Sequence, residues 1–223
     1  VFAPFFEYVV FEFLLLKLIC KKAKFILYII GDYPERNYLK RKSTFLKIFL
    51  KLSQKVSSLI ANENWFITRK LFKKYKYKNP KFIYASTLRE KLIVTIHKKY
   101  NLHNSCKLIF IGRLEYDKNP KICLYVLDKL IKKGYEVKLM VIGDGPLYQE
   151  LQFLSDNLNL KDKCCFTGWI KEREKIFEFL KNSDIFILPS IEGEGLPQVF
   201  LEALGQGLPI ISTKSGGAEE IIA

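Results

Sequence analysis

Arg113 and Lys118 share one short stretch, Gly112-Arg113-Leu114-Glu115-Tyr116-Asp117-Lys118. A guanidinium is a planar fork of donors and an ammonium is a compact charge, so together they can hold phosphate oxygens without a metal ion. A second stretch, Pro189-Ser190-Ile191-Glu192-Gly193-Glu194-Gly195-Leu196-Pro197, carries glycines that let the backbone approach a ligand closely. Its Pro197 suits the first turn of a helix reaching to about Gln206. The free N–H groups and positive dipole end of that helix would face an anion. Glu194 lies in the loop and Glu202 about a turn and a half into the helix. As acceptors for hydroxyl groups, the two carboxylates could hold the sugar-like parts on either side of a diphosphate. Gly143-Asp144-Gly145-Pro146 and Gly168-Trp169-Ile170 are two further loops of this kind. Gly216-Gly217 reads either as a backbone nest for phosphate or as a tight turn.

Each of these segments follows a run that reads as a strand. The strands predicted are Lys107–Ile111, Glu136–Ile142, Lys163–Thr167, Asp184–Leu188 and Leu208–Ser212. Ile122, Val126, Leu127, Leu130 and Ile131 follow the helical period between the first two, and Gly134 ends that helix. Leu147, Leu151, Leu154 and Leu158 do the same between the next two. Short apolar strands alternating with helices make a parallel sheet covered on both faces, and such sheets bind ligands beyond the carboxyl ends of their strands.

The first half reads as the later part of a second α/β layer. The elements expected there are helix Phe5–Leu18, strand Lys24–Ile30, helix Ser43–Ser53, strand Val56–Ala61, helix Asn64–Tyr75 and strand Lys81–Ala85. Polar residues at Asn101–Ser105 mark a linker, which divides the chain into residues 1–104 and 105–223. The charge divides at the same place. Of the formal net charge of +14, the first part carries 22 Lys/Arg against 6 Asp/Glu and the second 15 against 17. An apolar run from Val1 to Ile19 is broken by Glu7, Glu12 and Lys17, so it reads as a helix inside a domain rather than a membrane span. The five cysteines (Cys20, Cys106, Cys123, Cys164 and Cys165) have no zinc-binding spacing and read as reduced thiols of a cytosolic protein. His97 and His103 follow no strand end, and Trp65 and Trp169 read as core or rim aromatics.

The order Gly-Arg-Leu…Lys, Gly-Asp-Gly-Pro, Phe-Thr-Gly, Asp-Ile-Phe-Ile-Leu-Pro-Ser, Glu-Gly-Leu-Pro-Gln-Val-Phe-Leu-Glu-Ala and Ser-Gly-Gly-Ala-Glu-Glu resembles the group 1 glycosyltransferases. The resemblance covers residues 107–223 densely and the first half only through Gly31-Asp32-Tyr33. It implies the GT-B architecture, with two Rossmann-like parallel-sheet domains of which the N-terminal one is incomplete here. It also implies a retaining transferase that needs no metal or other cofactor, and the sequence contains no Asp-x-Asp motif. By the same resemblance Arg113 and Lys118 neutralise the donor diphosphate, Glu194 contacts the transferred sugar, Glu202 binds the ribose and the main chain near Ile170 meets the base. Gly112, Gly143, Gly195, Leu196, Pro197, Gly216 and Gly217 complete the donor site.

The expected partners are a nucleoside-diphosphate sugar and a glycan or lipid-linked acceptor. A chain that opens on Val1 and stops at Ala223, inside a helical turn, is expected to be part of a longer enzyme and inactive by itself. A non-catalytic nucleotide-sugar-binding subunit and a sugar-nucleotide epimerase are the alternatives. A dehydrogenase is disfavoured because no G-x-G-x-x-G follows a strand. Lys40, Arg41, Lys42, Lys47, Lys51 and Lys55, then Arg69, Lys70, Lys73, Lys74, Lys76, Lys78 and Lys81, are interleaved with Phe45, Phe49, Leu50, Phe66, Leu71 and Phe72. That pattern predicts a basic rim around apolar anchors, suited to the inner face of an anionic membrane. No nucleic-acid partner is expected, since no recognition motif accompanies the charge.

Overall fold

The structure is a computed structural model, and it describes residues 24–29, 34, 43–83, 93, 105–191, 195–214 and 217–221. The predicted helix Phe5–Leu18, the Gly31-Asp32-Tyr33 turn, Lys40–Lys42, both histidines, Cys20, Glu194 and Gly216 lie outside the described residues. Two compact units are present. One contains Val1–Ala85, Glu192–Leu196 and Ser215–Ala223; the other contains Ser86–Ile191 and Pro197–Lys214.

In the first unit three parallel strands, β1 (Ile26–Ile29), β2 (Glu63–Phe66) and β3 (Pro80–Phe82), lie in that order. Helix α1 (Thr44–Ile60) starts at Ser43, whose hydroxyl accepts the Leu46 N–H at 3.2 Å. Helix α2 (Arg69–Tyr75) starts at Thr68, whose hydroxyl accepts the Leu71 N–H at 3.2 Å. Phe66, Phe72 and Phe82 pack around the end of β2, with centroids 5.5–6.4 Å apart.

The predicted strand Val56–Ala61 is the last part of α1, and β2 lies where a helix from Asn64 is expected. Val56, Ser58 and Ile60 alternate with other residues as a strand would, but the helical spacing from Phe45 through Leu59 is longer, and no Gly or Pro interrupts it. The chain leaves the helix at Asn62, whose Oδ1 accepts the Phe25 N–H at 2.8 Å. Asn64 then fixes β2 by donating through Nδ2 to the carbonyls of Ser58 at 3.2 Å and Lys78 at 2.8 Å. These contacts join separate elements, so no local pattern announces them.

In the second unit the five predicted strands form as β4 (Cys106–Ile111), β5 (Val137–Ile142), β6 (Cys164–Gly168), β7 (Ile185–Leu188) and β8 (Ile210–Ser212). They are parallel, in the order β6-β5-β4-β7-β8. Central β4 is buried on both faces: Leu108, Ile109 and Phe110 are each no more than 4% exposed. Helices α3 (Lys121–Lys132), α4 (Tyr148–Asn157), α5 (Arg173–Lys181) and α6 (Gln198–Gly205) join successive strands. On α3 the buried residues are Cys123, Leu124 and Leu127, while Ile122 is exposed, so the inner face is turned from the one the apolar spacing predicts. Four residues, Ala218–Ile221, form a last turn, α7, which belongs to the first unit.

Candidate functional site

The strand order creates the site. The chain runs outward from β4 to β5 and β6, then returns to place β7 on the other side of β4. Loops leaving β4 and β7 therefore diverge around a crevice at the point where the order reverses, the usual ligand position in an open parallel sheet. The β4 loop carries Arg113 and Lys118, and the β7 loop leads to Pro197 and α6. A hydrogen bond from the Ile191 N–H to the Asp117 carbonyl, 2.7 Å long, ties the two loops together.

The β4 loop is braced from its other side as well. Gly112 donates to the Ile142 carbonyl at 3.0 Å and Leu114 to that of Asp144 at 2.9 Å, while Leu147 donates back to Leu114 at 3.0 Å. Gly143 has φ +138°, and a Cβ there would lie 1.9 Å from the Gly112 oxygen. One at Gly145 would lie 2.7 Å from the Leu114 oxygen. Both glycines are thus required by the packing of one loop on the next, before any ligand is considered. Gly143 also donates to the carbonyl of Gly168, 2.9 Å away, which extends the bracing to the end of β6. Ile170 follows there, half-buried, beside Trp169, which is 70% exposed and so belongs to the rim rather than the core.

The two cations sit in different surroundings. Arg113 has an exposed side chain that bonds Glu115 at 2.8 Å and lies 3.5 Å from Asp117 Oδ2. Lys118 is buried at the end of a short 3-10 turn, Tyr116–Lys118. The Asp117 carboxylate is 1% exposed and neither oxygen receives a hydrogen bond; the buried hydroxyl of Ser190, at the end of the neighbouring strand, is also without one. The acids of the loop balance its cations, and nothing in the spacing of the cations shows this.

Helix α6 begins just after the expected position: Pro197 is its N-cap, in extended backbone, rather than a residue of the first turn, and no side chain closes that turn. Glu202 lies on the second turn and pairs with Arg173, the first residue of α5. Burial raises the Glu202 carboxyl above its ordinary value, and the charge and hydrogen bond of Arg173 pull it back. Arg173 is thus a neighbour of Glu202 that the motifs do not reveal, since it comes from a different helix. In the first unit Gly195 accepts the Gly217 N–H at 2.7 Å, and Leu196 is buried. The structure accordingly places Gly112, Arg113, Lys118, Gly143, Ile170, Pro197 and Glu202 in the second unit, and Gly195, Leu196 and Gly217 in the first. Among the described residues no group of three or more His, Cys, Asp or Glu could hold a metal ion.

Comparison with known proteins places the chain in a family and a fold. The chain is 32% identical over 212 residues to an uncharacterized glycosyltransferase of Methanocaldococcus jannaschii, covering 90% of this chain and 51% of that protein. It is 32% identical over 128 residues to N-acetyl-alpha-D-glucosaminyl L-malate synthase of Bacillus anthracis, covering 57% of this chain and 32% of that one. The chain thus spans about half or less of the length of these relatives. Among solved structures, Anabaena HepE in complex with UDP and glucose superposes with a TM-score of 0.74 at 16% identity, over 100% of this chain and 61% of that one. Sucrose-phosphate synthase from Thermosynechococcus elongatus superposes with a TM-score of 0.73 at 14% identity, over 95% of this chain and 56% of that one. These likenesses show the GT-B fold. Residues 93–223, more than half of the chain, match the model of the family described as glycosyl transferases group 1, and the chain belongs to that family.

Proposed function

We propose that this chain carries the donor site of a retaining, metal-independent glycosyltransferase that moves a sugar from a nucleoside-diphosphate sugar to a glycan or lipid-linked acceptor. The observation that carries the reading is the Ile191–Asp117 hydrogen bond, which holds the Arg113–Lys118 loop against the segment leading to α6 at the reversal of strand order. When the sugar leaves, negative charge grows on the departing diphosphate. Fixed cations and uncapped N–H groups placed at that position favour the transition state over the ground state. Arg113, Lys118 and the start of α6 are the groups available for this. Glu202 takes the part of an acceptor for ribose hydroxyls, and Glu194, Gly195, Leu196, Gly216 and Gly217 keep the sugar-side and phosphate-side roles that the family resemblance gives them. HepE, which shares the fold, is solved in complex with UDP and glucose, and this supports a nucleotide ligand of the same kind.

Calorimetric titration with UDP and GDP tests the assignment. Loss of a charge-assisted hydrogen bond costs about 1.5–3 kcal/mol, so Arg113→Ala should bind nucleotide about ten- to a hundredfold more weakly. A variant that binds as the parent does overturns the site. Product analysis with a nucleotide sugar then separates transfer, which yields a glycoside, from epimerisation of the donor.

A further inference from the structure

Two carboxylates of the β4 loop converge on one guanidinium. Arg113 donates through Nη1 to Glu115 Oε1 at 2.8 Å, and its Nη2 lies 3.5 Å from Asp117 Oδ2. Its two terminal nitrogens therefore face two different acids. A guanidinium carries five N–H donors in one rigid plane, so these contacts use part of the fork and leave donors for a further anion. The acids lie deeper than the cation they hold: the side chain of Asp117 is 1% exposed and that of Glu115 17%, against 46% for Arg113.

Local backbone bonds set this arrangement. The Glu115 N–H bonds the Arg113 carbonyl at 2.9 Å and the Lys118 N–H bonds the Glu115 carbonyl at 3.1 Å. The tight turn Tyr116–Lys118 ends on Asn119, whose φ is +49°. It carries Asp117 inward, where the Asp117 carbonyl receives the Ile191 N–H at 2.7 Å. The backbone of Asp117 is thus tied to the neighbouring loop, and its carboxylate stays with it. Neither oxygen of that carboxylate receives a hydrogen bond, which is costly for a buried acid. The nearby guanidinium offsets the cost, so the pair is more than an ordinary ion pair at the surface. Arg113 is restrained in return. A long, half-exposed arginine otherwise samples many rotamers, and one already held in place loses less freedom when it binds an anion.

We infer that Glu115 and Asp117 are positioning residues, a pair of carboxylates that holds the Arg113 guanidinium in place for the diphosphate of the nucleotide. The inference rests on the donor-site reading and adds to it two residues that act through Arg113. Its sign is opposite to that of charge alone. A carboxylate near an anion site repels the anion, so on Coulombic grounds removing either acid tightens nucleotide binding. A clamp gives the reverse: with either acid neutralised, Arg113 must be ordered when the anion arrives, and binding weakens.

The test is calorimetric titration of the 223-residue chain with UDP, comparing the parent with Glu115→Gln, Asp117→Asn, Arg113→Ala and the double variant Arg113→Ala with Glu115→Gln. Each acid substitution alone should weaken UDP binding about three- to tenfold, the scale of ordering one mobile side chain. In the Arg113→Ala background Glu115→Gln should weaken it no further, since the group it positions is gone. Nitrogen NMR of the arginine side chains, with the Arg113 signal assigned through Arg113→Lys, gives a second reading. Rotation of the Arg113 terminal nitrogens should be slow in the parent and faster in Glu115→Gln. Circular dichroism checks that each variant is folded; should Asp117→Asn fail to fold, the more exposed Glu115→Gln and the NMR of the parent decide. Parental or tighter UDP binding by the folded acid variants, with Arg113→Ala binding weakly, overturns the clamp and leaves the donor site standing. An equal loss from Glu115→Gln in the Arg113→Ala background, or fast rotation of the guanidinium in the parent, overturns it as well. Parental binding by Arg113→Ala overturns the donor-site reading, and the clamp falls with it.

Discussion

Individual side chains around the crevice at the strand ends are held by partners that the motifs do not name. Glu202 depends on Arg173, and the dependence has a definite pH signature. A carboxyl raised by burial contributes stability that is complete below its unfolded pKa and is lost as pH rises through the folded value. Removing Arg173 raises that folded value further, so the loss at neutral pH is larger. Arg173→Gln should therefore lower stability by about 1 kcal/mol near pH 7.5, the scale of a partly exposed pair, and by little near pH 4. Urea denaturation at the two pH values reads the difference directly. A pH-independent loss would assign the effect to packing. The thiols give an independent check on burial. Burial pushes Cys164 up to about 12 and Cys123 higher still, whereas Cys165 on the same strand as Cys164 is exposed. Among the described cysteines, iodoacetamide should label Cys165 first in the native protein, with Cys123 and Cys164 reacting only after denaturation. Peptide mapping by mass spectrometry distinguishes them.

The loops are rigid because each strand end is stitched to the next, and this makes an element-level prediction. Gly143→Ala would put a methyl group 1.9 Å from the Gly112 oxygen, which forces the β4 loop to move. A one-carbon change should thus cost about 3 kcal/mol or more, in the range of overpacking and backbone strain together. It should also weaken UDP binding more than Leu127→Ala does, although Leu127, fully buried in α3, should cost about 2–5 kcal/mol as a cavity. Thermal denaturation and calorimetry of the pair separate a loop effect from a core effect. Equal affinity for UDP in both would show that the stitched loop does not shape the crevice.

The molecule comprises two units, and ligand linkage should reveal them separately. Nucleotide at a hundred times its dissociation constant stabilises the state that binds it by about 2.7 kcal/mol. Hydrogen exchange should therefore slow in peptides covering Gly112–Lys118 and Ser190–Gly205 when UDP is added. The peptide covering α1, which lies in the first unit, should exchange at the same rate with and without nucleotide. Slowing of α1 by UDP would couple that helix to the nucleotide and overturn their independence.

Much of the second unit is legible without coordinates. Short apolar strands bounded by glycines and separated by helical spacing are local signals, and five strands form within a few residues of their expected positions. The motif residues Arg113, Lys118, Pro197 and Glu202 can also be picked out, because chemistry at strand ends is written in contiguous sequence. Their arrangement cannot. Strand order depends on which hydrophobic edges pair across the whole chain, and only that order sets β7 beside β4 and so brings Asp117 to Ile191. The Arg173–Glu202 pair and the glycine contacts likewise join residues from separate elements. In the first unit the sequence pattern misplaces β2 because period-two and period-3.6 patterns coincide near Val56. Buried Asn64, bonded to Ser58 and Lys78, settles the register where propensity does not. The residues of α1 show the same helical spacing whichever face packs, and only the tertiary structure decided that Leu50, Ser53, Gln54, Ser57 and Ser58 are the buried ones, because the partners that bury them come from distant segments.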